Sequence, residues 1–121
     1  MTRRQQADVS RFLPLPLPVF HLLLALHDGE RHGYALKREI LKRTDGKLNL
    51  GSGALYGSIS KMLDQGLIEE TEERPDFHLD DERRRYYRIT PLGRAVVDAE
   101  ASRLRDLVAL ANQFLHIAEA R

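Results

Sequence analysis

Gly-Ser-Gly-Ala-Leu-Tyr-Gly-Ser-Ile-Ser-Lys-Met-Leu-Asp-Gln-Gly-Leu-Ile-Glu (51–69) changes its period part-way along. Leu55, Ile59 and Met62 or Leu63 recur at three-to-four spacing, which predicts a helix with one buried face. Ser52 stands where an N-cap is expected, and Gly66 closes the helix as a C-terminal cap. Beyond Gly66 the period becomes two. Leu67–Thr71 and Arg85–Ile89 read as paired strands, joined by an acidic tip from Glu72 to Glu82 that contains Pro75. In the second strand, alternation places Tyr87 and Ile89 on one face, with Ile89 inward, and Tyr86 and Arg88 on the other.

Upstream, Gly33 to Arg43 predicts a helix with Leu36 and Ile40 inward and Lys37, Arg38, Lys42 and Arg43 outward, ended by Thr44-Asp45-Gly46. Before it, Pro18 can open a short buried helix through Val19, Phe20, Leu22, Leu23, Leu24 and Leu26, stopping near Asp28-Gly29. Leu-Pro-Leu-Pro-Leu-Pro (13–18) resists helix, so residues 1–17 read as an arm with a stiff lead-in.

Downstream, Thr90-Pro91 launches a helix that could persist to about Glu119, roughly 43 Å. Val97, Ala101, Leu104, Val108, Ala111, Leu115 and Ala118 step by four and three, a heptad seam. Leu107, Leu110, Phe114 and Ile117 form a second apolar row beside it. So broad a face asks for cover, from a second copy or from the first helix and the arm of the same chain. The expected interface residues are Val97, Ala101, Leu104, Leu107, Val108, Ala111, Phe114 and Leu115.

Helix, helix, loop, helix, hairpin is the order of a winged helix-turn-helix, whose third helix enters the major groove. The expected class is α+β, mainly α: a winged helix-turn-helix domain over 18–90 and a long C-terminal dimerisation helix over 91–121. On the third helix, Ala54, Tyr56, Gly57, Ser58, Lys61 and Gln65 lie on the outer or flanking surface, with Ser52 at its start. Small residues let the backbone approach a groove, while Ser52, Tyr56 and Lys61 suit phosphate or base contact. Tyr56 could instead pack beneath the hairpin. Arg83, Arg84 and Arg85 on the wing, with Lys37 and Arg38 on the second helix, complete the DNA-contact set. The arginines have an alternative task, neutralising Asp76, Asp80, Asp81 and Glu82.

Charge supports only local contact with a polyanion. The formal net charge is +1, and residues 67–89 carry 5 basic against 8 acidic groups. With no cysteine, disulfides and thiolate chemistry are excluded. Gly51-Ser52-Gly53 followed by Gly57 lacks dinucleotide-loop spacing and has no Walker lysine. His21, His27, His32, His78 and His116 include no i, i+4 pair, so no metal site is expected. No enzyme activity or cofactor is therefore expected. The longest nearly apolar run, Val19–Leu26, is eight residues and contains His21. It is too short for a membrane span, and a cytoplasmic protein is expected.

Leu-Ala-Leu-His-Asp-Gly-Glu-Arg-His-Gly-Tyr-Ala-Leu (24–36), the 51–69 stretch and Arg-Arg-Tyr-Tyr-Arg-Ile-Thr-Pro-Leu-Gly (84–93) resemble the signature blocks of PadR-like transcriptional regulators. The resemblance covers residues 18–97 in one register and is similar to the short branch with a single C-terminal helix. It implies a homodimeric repressor on an inverted-repeat operator in double-stranded DNA, released by a small molecule or another signal. It also implies that a flat aromatic effector could lie in the dimer seam, with Phe12, Phe20, Leu107 and Phe114 as lining candidates, although packing explains each of them equally. Two positions depart from the family pattern: Ala54 replaces the usual Thr and Gly57 the usual Pro. Gly57 weakens the helix by about 1 kcal/mol against alanine. The alternative function is a winged-helix protein-interaction module without specific DNA binding.

Overall fold

The computed structural model describes residues 3–71 and 85–115. The wing tip from Glu72 to Glu82, together with Arg83 and Arg84, lies outside the described residues. So do His78, His116, Ile117, Ala118 and Glu119. Element order is α1 (Arg3–Ser10), α2 (Leu17–His27), β1 (Arg31–His32), α3 (Gly33–Arg43), α4 (Ser52–Asp64), β2 (Ile68–Thr71), β3 (Tyr86–Ile89) and α5 (Pro91–Leu115).

The core forms where the apolar faces of α2, α3 and α4 meet. Leu22, Leu23 and Leu26 from α2, Leu36 and Ile40 from α3, and Leu55, Ile59 and Met62 from α4 are all buried. Each such side chain contributes roughly 1.5–3 kcal/mol when fully withdrawn from water. Val96 and Val97 bring the first turns of α5 into the same cluster. Among the described residues, no helix is long and apolar enough to cross a membrane.

Local chemistry sets the boundaries. α2 begins at Leu17, one residue before the expected Pro18, with Pro16 as its N-cap. α3 is capped by His32, whose Nδ1 accepts the Ala35 N–H at 3.1 Å. At its other end the chain turns through Asp45 (φ 52°) and Gly46 (φ 80°). Thr44 Oγ1 donates to the Ile40 carbonyl at 2.9 Å and accepts the Leu48 N–H at 3.0 Å, drawing the connector back onto the helix. α4 is capped by Gly51, not by Ser52 as expected; Ser52 is the first helical residue and makes no capping bond.

The sheet has order β1-β3-β2 and is antiparallel throughout. β3 is therefore central, with Ile68 opposite Ile89 on one side and His32 opposite Tyr86 on the other. This explains why Tyr86 and Tyr87 are both buried despite strict alternation. One face meets the helices, while Tyr86 packs edge-on against His32, 5.5 Å between ring centroids.

The expected arm is largely helical. α1 lies against α5, and Val9 inserts into the core. The lead-in that follows is fixed to α5 by Glu100, whose carboxylate accepts the Leu15 N–H at 3.0 Å and the Arg103 guanidinium at 2.9 Å. Glu100 is buried. Its pKa is held below the ordinary 4.5, first by the hydrogen bond from Arg103, with the Leu15 amide assisting against the opposing effect of burial.

Candidate nucleic-acid interface

α4 presents its polar face away from the core. Ser52, Ala54, Tyr56, Gly57 and Lys61 are exposed and Ser58 is half-buried. Because Gly51 has no side chain, no capping oxygen competes for the first-turn amides of α4, which have no acceptor within the helix. A Cβ placed at Gly51, Gly53 or Gly57 would meet nothing within 4 Å. The chain's own packing thus does not require glycine at any of the three, and the backbone there is left bare on its open side.

Tyr56 is exposed to solvent and at the same time packed against α3 of its own chain. It is 49% exposed, yet its ring lies across the first turn of α3, with Cε1 and the hydroxyl 2.9 Å from where a Cβ at Gly33 would sit. Gly33 is the vacancy into which that ring fits. Tyr87 stands nearby; burial, reinforced by Glu70, pushes its phenol pKa upward. Tyr56 is consequently a half-exposed side chain whose position is fixed by the α3–α4 contact.

The predicted cations divide. Arg38 is exposed and stacks over the exposed Tyr34 ring at 5.2 Å, and Lys37 is half-buried beside them. Arg43 is occupied: it pairs with Asp28 at 2.5 Å and Glu39 at 2.7 Å, tying the end of α2 to α3. The Glu39 hydrogen bond raises Arg43's hold on its proton and lowers the carboxyl pKa of Glu39. Arg43 faces outward as expected, but its charge is engaged by these two carboxylates. On the wing, Arg85 pairs with Glu70 at 2.9 Å across the strands, and Arg88 pairs with Glu69, its register partner, at 2.7 Å. Among the described residues these acidic partners come from β2; Asp76, Asp80, Asp81 and Glu82 of the tip lie outside them.

The expected interface set also divides. Val97 is only 2% exposed and belongs to the chain's own core, so it is removed from the seam. From Ala101 onward the face is open: Leu104, Leu107, Val108, Phe114 and Leu115 are exposed, as is Leu110, and Ala111 is half-buried. The four effector candidates part company, because Phe12 and Phe20 pack on the core whereas Leu107 and Phe114 stand on the open face. Glu100 was not singled out from the sequence, and neither was Gly93; in both cases the partner lies far away in the chain.

The Transcriptional regulator PadR-like family matches residues 22–99. The chain belongs to the PadR-like family. The matched span runs from α2 into α5 and stops where the open face of α5 begins. A 37.1 kDa protein in transposon TN4556 of Streptomyces fradiae is similar, 35% identical over 80 residues covering 66% of this chain and 21% of that protein. The chain thus spans about a fifth of the length of this curated relative. Two solved structures share the winged-helix fold of this PadR-like chain. A transcriptional regulator from Clostridium thermocellum is 24% identical with a TM-score of 0.67, covering 80% of this chain and 88% of that one. A PadR family regulator from Clostridium difficile R20291 is 21% identical, also with a TM-score of 0.67, covering 83% and 99%.

Proposed function

We propose that this PadR-like chain acts as a homodimeric repressor that binds an inverted-repeat operator through α4. The carrying observation is the start of α4, where Gly51, Gly53 and Gly57 face open space beside exposed Tyr56 and Lys61. Phosphates suit the first-turn amides, Lys61 adds an ion contact, and Arg38 with Lys37 lies on the neighbouring helix. Ser52, Ala54 and Ser58 supply the remaining close surface. Arg85, with Arg83 and Arg84 beyond the described residues, belongs to the wing's share of the contact. The open face of α5 is the seat of the second copy, which sets two α4 helices about one turn of duplex apart. The releasing signal in this reading is a flat aromatic molecule lying against Leu107 and Phe114 between the copies, with the cytoplasm as the site of action.

The test is titration of a duplex from the protein's own promoter against a random duplex at moderate salt. Preferential binding that weakens as salt rises supports the reading. Equal retention of both duplexes removes it. Ligand-dependent loss of operator binding tests the effector. A second reading, a protein-interaction module, draws on the Arg85–Glu70 and Arg88–Glu69 pairs, which cancel positive charge at the root of the wing. Dimerisation through α5 without any retention of DNA would favour it.

A further inference from the structure

The junction between α4 and α5 is built with unusual economy. α4 ends in a Schellman arrangement: Gly66 (φ 77°) donates its N–H to the Leu63 carbonyl at 3.1 Å, and Leu67 donates to Met62 at 3.0 Å. Two carbonyls of that turn then point at Thr90. The Thr90 hydroxyl is shared between the Gly66 oxygen at 2.6 Å and the Leu67 oxygen at 3.0 Å, while the Thr90 N–H donates to Leu67 at 3.1 Å. The same hydroxyl oxygen accepts the Gly93 N–H at 3.0 Å and so caps α5. Gly93 is seated on the turn, since a Cβ there would fall 2.1 Å from the Leu67 oxygen and 2.8 Å from Ile89 Cγ1.

One side chain therefore satisfies the start of one helix and grips the end of another. A cap needs only an acceptor, and the donation to Gly66 and Leu67 is superfluous to that task. We propose that Thr90 is a positioning residue for DNA recognition: by donating to the α4–β2 turn it fixes the direction of α4 relative to α5. This inference rests on the DNA-binding reading above. With α5 seated on its partner, the joint sets where the two α4 helices stand, and a fixed stance is what simultaneous engagement of two half-sites requires. Any shift of α5 within the dimer is carried to α4 through the same joint.

Substitutions separate the two roles of the hydroxyl. Thr90→Ser keeps both donor and acceptor. Thr90→Asp keeps a good capping acceptor but cannot donate to the turn, and Thr90→Val removes both. The chain has no cysteine, so Ser60→Cys on α4 and Arg105→Cys on α5, both exposed positions, can carry spin labels. Diluting labelled chain with unlabelled chain isolates the distance within one chain. Binding is measured on unlabelled protein, with duplexes carrying one or two half-sites.

The expected result is a narrow distance distribution for wild type and Thr90→Ser and a broad one for Thr90→Asp and Thr90→Val. With it, the preference for paired over single half-sites falls about tenfold in the last two, and single-site affinity stays within about twofold. If Thr90→Asp matches Thr90→Ser in distance and in preference, the hydroxyl is only a cap and the proposal is overturned. Broadened distances with an unchanged preference for paired sites overturn it as well. A wild-type chain with no preference for operator over random duplex removes the DNA reading instead; the distance distributions then still decide whether the joint exists.

Discussion

Residues 91–100 and residues 101–115 of α5 carry one apolar stripe and meet opposite surroundings. In the first part, Gly93, Val96, Val97 and Glu100 are buried against the rest of the chain. In the second, Leu104, Leu107, Val108 and Leu115 continue at the same three-to-four spacing and are exposed. Periodicity records that a face is to be covered but not by what. The first part is an ordinary core segment, and even admits a carboxylate because Leu15 and Arg103 satisfy it. The second is a contiguous apolar patch of the kind that marks an association surface.

Substitutions in the two parts should therefore fail in different ways. The largest effect is expected at Gly93→Ala, where a methyl group meets the Leu67 carbonyl. Overpacking against backbone should cost about 3 kcal/mol in denaturant unfolding, whatever the protein concentration. Val108→Asp, in the open part, should instead leave unfolding of the single chain unchanged and raise the dimer dissociation constant about a hundredfold, read by sedimentation across a dilution series. If Val108→Asp destabilised the isolated chain as Gly93→Ala does, the contrast between the two parts would be lost.

Much of this was legible from the sequence because it is local. The helix over Gly33–Arg43, the glycine turn at Gly66 and the switch to strand after it are set by residues within a few positions of one another. What was not legible is set by distant partners. β1 is two residues long and exists only through its pairing with Tyr86 and Tyr87. Glu100 meets Leu15 across 85 positions. α1 offers a polar sequence from which only docking on α5 makes an anchored helix, through Val9. Val97 fits the heptad phase as well as Leu104 does, and tertiary packing alone assigns it to the core. Around α4, the exposed positions follow from helical period, and the Arg43–Glu39 pair is an i, i+4 neighbour on α3, whereas the seating of Tyr56 on Gly33 and the pairing of Arg43 with Asp28 are tertiary.

Smaller effects are expected at Glu100 and at Lys61. Glu100→Gln retains an acceptor for Leu15 but removes the charge facing Arg103, and should cost about 1 kcal/mol, a modest sum because Arg103 reaches solvent. Since the folded pKa of Glu100 lies below 4.5, its stabilisation is complete above that value and is lost as pH falls through the lowered folded value. Acid unfolding of the Gln variant should accordingly show a shallower pH dependence in that range. Lys61→Ala on α4 should leave both unfolding and dimer mass untouched, and reduce the salt slope of operator binding by about 1.

The most direct test is the mass of the intact chain in solution at low micromolar concentration, by sedimentation equilibrium. A second copy on the open half of α5 predicts twice the chain mass of 13.9 kDa. A single species of 13.9 kDa, stable on concentration, would contradict it and leave α4 without the partner that paired half-site recognition requires.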